Sequence, residues 1–242
     1  MSQLMDLIRL PNYQIGVAKG QFKDISHVHK FGAVPSMSQN TSGTIWDVND
    51  TNYPWSAFSS AGTLSLTRAS ASDADKSVTV IGLDENYNEI SESITLTAAS
   101  GNATTQSFIR VYRAFMTTGS NVGNVDILKG ATTVARITEN KSQTLMAVYT
   151  VPAGYNAYLM AGTCSCQSGA DATADMFVRY FGQDSFRVGH TFEVAGVGGQ
   201  YMYKFDIPIK IPEKSDIDVR CLVRSNNARI TAAFDILLDK DT

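Results

Sequence analysis

Ile217-Asp218-Val219-Arg220-Cys221-Leu222-Val223 and Ile230-Thr231-Ala232-Ala233-Phe234-Asp235-Ile236-Leu237-Leu238 decide the fold. Apolar residues stand at every second position of both, and the Asn226-Asn227 turn lies between them. A repeat of two puts alternate side chains on opposite faces of a strand, so each stretch is a strand with one buried face. On the polar face, Asp216, Asp218, Arg220 and Arg224 read as a solvated surface of mixed charge.

Working toward the N-terminus, the same texture recurs. Tyr155–Cys166, Met176–Phe181, Phe192–Ala195 and Tyr201–Ile211 read as strands, and Pro208 and Pro212 mark the last as an edge or a bend. Leu145, Ala147, Tyr149 and Val151 begin this series, after the polar stretch Thr138–Ser142. Upstream of it, Leu64/Leu66, Val78/Val80, Ile90/Ile94/Leu96, Ser107–Phe115, Val125–Leu128 and Val134–Ile137 form a second series, with a hairpin turn in Gly82–Glu89. The expectation is an all-β chain of two antiparallel β-sandwich or jelly-roll-like domains, residues 61–140 and 141–242. Residues 1–60, broken by Pro11, Gly16, Gly20, Gly32, Pro35, Gly43 and Pro54, are expected to be an extended N-terminal arm. Such an arm must wrap over its own domain or be held by another subunit.

The 242 residues, 43% hydrophobic and 18% charged, suit a globular protein with a core large enough to need no staples. A net charge of −3 lacks the basic excess of a nucleic-acid-binding surface. No apolar run is long enough to span a membrane, and the N-terminal run carries Asp6 and Arg9, unlike a secretory signal. Three cysteines, Cys164, Cys166 and Cys221, are expected as reduced thiols.

Motifs that carry chemistry are few. No nucleophile elbow, phosphate-binding loop or zinc-protease helix occurs, and Gly196-Val197-Gly198-Gly199 reads as a turn. Ser185 near His190 lacks the strand-to-helix setting of a hydrolase. His27-x-His29 and Cys164-x-Cys166 would make a tetrahedral metal set only if they converged, and Asp73-x-Asp75-x-Ser77 only begins like a calcium loop. No enzyme activity, metal or cofactor is expected. Bulky aromatics instead concentrate in the arm. Trp46, Tyr53 and Trp55 read either as pins holding it to the first sandwich or as anchors for another subunit, with a carbohydrate platform as a third reading. Together with Phe22, His29 and Phe31 they are the expected interface residues.

Val28-His29-Lys30-Phe31-Gly32, Thr44-Ile45-Trp46-Asp47, Val80–Ile90, Phe108-Ile109-Arg110-Val111-Tyr112-Arg113 and Tyr149-Thr150-Val151-Pro152-Ala153-Gly154, in this order, resemble a group of virion structural proteins of tailed, mostly marine, bacteriophages. The resemblance covers roughly residues 25–160. It implies a non-enzymatic part of a phage particle, assembled in the cytoplasm of the bacterial host. The expected role is an outer capsid decoration or cement protein, with a neck, collar or tail component as alternative. Expected partners are other virion proteins, the major capsid protein or neck and tail proteins, and further copies of this chain, but neither nucleic acid nor membrane. Deleting residues 1–40 is then expected to leave a folded protein that no longer assembles.

Overall fold

The structure, a computed structural model, describes residues 13–167, 169–195 and 199–240. It is all-β and antiparallel, as the alternating patterns require. A short helix α1 (Tyr13–Ala18) precedes strands β1 (Ile25–Met37) and β2 (Ser42–Thr44). Next come β3 (Ser65–Arg68), β4 (Ser77–Leu83), β5 (Glu89–Thr95), β6 (Asn102–Ala103), β7 (Arg110–Met116), β8 (Val125–Lys129) and β9 (Thr132–Ile137). The last group is β10 (Val148–Thr150), β11 (Tyr155–Cys166), β12 (Ala172–Arg179), β13 (Arg187–Val194), β14 (Gln200–Ile211), β15 (Asp216–Val223) and β16 (Ala228–Lys240).

β3 to β9 form the first sandwich, with one sheet ordered β6-β3-β8-β9 and the other β5-β4-β7. Leu64, Leu66, Val78, Val80, Leu96, Phe108, Val125, Ile127 and Ile137 fill it. The expected hairpin joins β4 to β5, its turn tied by the Asp84 carboxylate accepting from the Asn86 and Asn88 amides at 2.8 and 2.9 Å.

The second sandwich has one sheet ordered β1-β16-β11-β14 and another ordered β10-β15-β12-β13, with β2 also on β15. β2 and β10 lie end to end on the same edge of β15, opposite residues 220–222 and 216–218. Counted as one interrupted strand, they complete eight strands whose pairing is first-eighth-third-sixth and second-seventh-fourth-fifth. That order is a jelly roll. The first sandwich is inserted into its second strand. Its ends leave and return at one point of β15: the Ile45 amide donates to the Val219 carbonyl at 2.8 Å, and the Val219 amide donates to the Ala147 carbonyl at 3.1 Å.

This topology changes the reading of the N-terminal quarter. Residues 25–37, expected within a free arm, are extended but form β1, which pairs with β16 from Ile25↔Asp239 to Met37↔Ala228. Val34 and Met37 are core residues of the jelly roll. An alternating segment that looks short of partners borrows its core from the far end of the chain. Gly32 is where β1 passes under the insertion point. A Cβ there would lie 2.2 Å from the Ile45 carbonyl oxygen and 2.4 Å from the Ala147 nitrogen, both backbone atoms. Residues 13–18, also read as irregular, form α1, which packs Val17 with Ile25 and Leu237 on the outer face of the β1-β16-β11-β14 sheet.

β14 is an edge, as Pro208 within it and Pro212 just after it imply. It has several more residues than β11 between the pairs Leu159↔Ile209 and Ala161↔Lys204, so Phe205–Pro208 bulge from the ladder. Met202 is 74% and Ile207 85% exposed.

Candidate functional site at the junction of the two sandwiches

The polar face of β15 does not meet solvent at its start. Asp216 and Asp218, read from sequence as a solvated surface, are buried because the inserted sandwich covers them. The Asp216 carboxylate accepts from Arg110 Nε and Nη2 at 2.8 and 3.1 Å, from Arg179 Nη2 at 2.6 Å, and from Thr150 Oγ1 at 2.7 Å. Arg110 belongs to β7 of the first sandwich, while Asp216 and Arg179 belong to the jelly roll. A bidentate guanidinium–carboxylate pair therefore spans the junction, in the planar geometry that suits arginine. Burial opposes the Arg110 charge, but the hydrogen bond and attraction of Asp216 outweigh it and hold the guanidinium above its ordinary value.

Asp218 accepts from Thr44 Oγ1 at 2.8 Å, Trp55 Nε1 at 2.9 Å and Arg220 Nε at 2.8 Å. Burial raises its carboxyl despite Arg220 and these donors. The Arg110 and Arg179 guanidinium carbons lie 5.6 and 5.4 Å from the Trp55 ring centre. With the carboxylate oxygens already engaged by donors, this cluster is chemically a clamp rather than a ligand site.

The six expected interface residues do not form one patch. Trp46 and Tyr53 are buried, at 1% and 2% exposure. Trp46 Nε1 donates to the Thr51 carbonyl at 3.1 Å, and Tyr53 Oη donates to the Val111 carbonyl at 2.9 Å. They pin the segment to the first sandwich and are unavailable to another subunit, while Trp55 is half-buried in the clamp. Phe22 is half-buried beside α1, packed against the cluster of Val17, Ile25 and Leu237. His29 is exposed and Phe31 half-buried, their rings 5.7 Å apart, at the lip of a cavity on the other side of β1.

That cavity, of about 490 Å³, lies between β1 and β7. Its floor holds Lys30, which is buried and donates through Nζ to the Tyr112 carbonyl of β7. Burial, and after it the Arg113 charge, lowers the Lys30 amine to about 7. Tyr112 Oη donates to Glu89 at 2.5 Å, and the Tyr149 ring stands 4.8 Å from that of Tyr112. Tyr149 is buried and its hydroxyl has no hydrogen-bond partner among the described residues. His27 Nε2 and His29 Nδ1 both lie 2.8 Å from Asp235 Oδ1. Lys30 carried a readable cue, since it shares the apolar face of β1 with Val28, Gly32 and Val34.

The remaining sequence features settle into structural places. Cys164, Cys166 and Cys221 are buried free thiols of the jelly-roll core, and burial pushes Cys164 up to about 12. They line the inner space of the sandwich, whereas His27 and His29 are exposed on Asp235, so the two pairs do not converge. No group of three metal-ligating side chains occurs among the described residues. Asp73 accepts from the Val122 and Gly123 amides and from Lys76 Nζ, which closes a loop of the first sandwich. His190 packs against Phe192, Tyr201, Tyr203 and Phe205. The glycine turn at 196–198 lies outside the described residues.

No protein-family model matches the chain, and the search of curated proteins gave no match. Among solved structures, the cowpea mosaic virus top component, naturally occurring empty particles, aligns over 75% of this chain and 82% of its own, at 9% identity and a TM-score of 0.24. The infectious bursal disease virus structures of the Gt and Gx strains align over 90% and 88% of this chain and 78% and 70% of theirs. Both are at 9% identity, with TM-scores of 0.19 and 0.22. Scores this low do not establish a shared fold, and the all-β assignment rests on the strand pairing itself.

Proposed function

We propose that this chain is a structural protein of a virus particle, non-enzymatic, acting as an outer capsid decoration or cement protein. The observation that carries the reading is the open edge of β14. Among the described residues it has no partner strand on one side, before and after the Phe205–Pro208 bulge, and Met202, Tyr203 and Ile207 on it are exposed. An open strand edge with exposed apolar side chains is a template for pairing with another chain; here the bulge, Pro208, Lys204 and Lys210 confine that pairing to the stretches on either side of the bulge. The ordered resemblance to phage virion proteins and the jelly-roll order, which recurs in capsid, lectin and cupin domains, support the same reading. The partners are further copies of this chain and other virion proteins. Contacts made only in the assembled shell stabilise that shell by mass action.

The test adds the full-length protein to purified, expanded capsids and measures what co-sediments. Retention that Ile207→Lys abolishes without unfolding the protein supports the reading. Failure of the wild-type chain to bind capsids, or its labelling of the tail alone in electron micrographs, overturns the cement role. Labelling of the tail alone would favour the neck or tail alternative.

A further inference from the structure

We propose that the cavity between β1 and β7 is a binding site for an oxyanion, a carboxylate or phosphate group, held between the Lys30 ammonium and the Arg113 guanidinium. Two cations line this cavity, and among the described residues neither has a carboxylate upon it. The contact of Lys30 is a backbone carbonyl, and Arg113 lies over the Phe115 ring at 5.4 Å. Buried charges are ordinarily paired, and two like charges on one cavity repel. The repulsion is visible in Lys30, whose amine Arg113 depresses further after burial has lowered it.

The acids nearby are already engaged. Glu89, which also lines the cavity, accepts the Tyr112 hydroxyl at 2.5 Å, a bond that leaves its negative charge in place, and Asp235 lies against both histidines. A third donor is left over, because the buried Tyr149 hydroxyl lacks an acceptor. An oxyanion in this cavity offers an acceptor to these donors and adds two attractions, to Lys30 and Arg113, against one repulsion from Glu89. The cavity, at about 490 Å³, exceeds a bare oxyanion, so the fitting ligand is a small molecule carrying that group, such as a phosphate monoester or a carboxylic acid.

The experiment titrates the full-length protein, its lysines ¹³C-labelled at Cε, with inorganic phosphate and separately with acetate. Ionic strength is held constant with chloride, and the Lys30 resonance is followed by NMR. The expected result is a saturable shift with one of the two anions and a Lys30 titration midpoint raised above its value in chloride. Arg113→Gln, at an exposed position, should weaken half-saturation about tenfold or more, and Lys30→Met should abolish the thermal stabilisation the anion gives. Saturation by phosphate alone assigns the phosphate class, and by acetate alone the carboxylate class. The proposal is overturned if neither anion saturates, if chloride produces the same shift, or if Arg113→Gln binds as the wild type does. Should Lys30→Met fail to fold, the Arg113→Gln comparison still decides.

Discussion

Replacing Asp216 by Asn removes one negative charge from the junction and leaves the shape nearly unchanged. The Arg110 side chain, 8% exposed, then stays buried without a counter-charge, whereas Arg179, at 21%, can turn toward water. Breaking a buried pair by removing one partner costs about 3–5 kcal/mol. Against a typical domain stability of about 5–15 kcal/mol, that is a large fraction. Both tryptophans report on the region, Trp55 from beside the two arginines and Trp46 from the insertion point, so urea unfolding followed by their fluorescence reads the junction directly. Far-UV circular dichroism follows the sheets as a whole. In Asp216→Asn the fluorescence transition should fall to lower urea by the stated amount and precede the dichroism transition as the sandwiches uncouple. In a double-mutant cycle, Arg110→Leu added to Asp216→Asn should cost less than it does alone, because the uncompensated charge is gone. A loss below about 1 kcal/mol, the size of an exposed pair, or strict additivity in the cycle, would refute the reasoning.

Deleting residues 1–40 removes β1, one of the two partners of β16, and with it the core residues Val34 and Met37; the jelly roll should lose its cooperative transition, and a soluble truncated protein with native dichroism would contradict the β1–β16 pairing. Lys30 bears on pH. It is neutral in the fold above about 7 but stays protonated in the unfolded chain up to about its ordinary 10.5. The unfolded state therefore binds more protons through that window, and stability rises with pH across it, at a slope approaching about 1.4 kcal/mol per unit. Lys30→Met should flatten that rise in chloride buffer, and an unchanged slope would assign the proton elsewhere. Gly32→Ala forces a methyl group against two backbone atoms of the insertion point, so it should destabilise by about 1–3 kcal/mol; a thermal midpoint equal to wild type would show that the strands can part there freely.

Individual strands were legible because alternation is a local property: β15 and β16 announce themselves over the short stretches Ile217–Val223 and Ile230–Leu238. Their partners were not, because pairing is not local. His29 and Asp235, neighbours across β1 and β16, are 206 residues apart in sequence. A reading that runs along the chain therefore took β1 and β2 as an arm, and set a boundary near residue 140 where the chain is in fact returning to the strand it left at residue 44. The junction was hidden for a related reason. Alternation shows that Asp216 and Asp218 share a face but not what covers it, and a covering domain makes a clamp of what water would make a solvated surface. The aromatics Trp46, Tyr53 and Trp55 read from sequence either as pins or as interface anchors, because alternation does not reveal what a loop packs on; Trp46 and Tyr53, with Phe58, fill the first sandwich.

The insertion also orders events in time. Every strand of the inserted sandwich emerges from the ribosome as one uninterrupted stretch, so that unit can close while synthesis continues. The jelly roll cannot. Its first strand must wait, without its ladder, for the last strand of the chain, and such distant contacts slow folding. During that wait β1 is an open template beside many nascent copies of the same sequence, and a β16 from a neighbouring chain fits it as well as its own. Exchange of β16 between copies is thus a misassembly that this topology leaves open, and prompt folding of the insert, which brings Ile45 and Ala147 together against β1, favours the pairing within one chain.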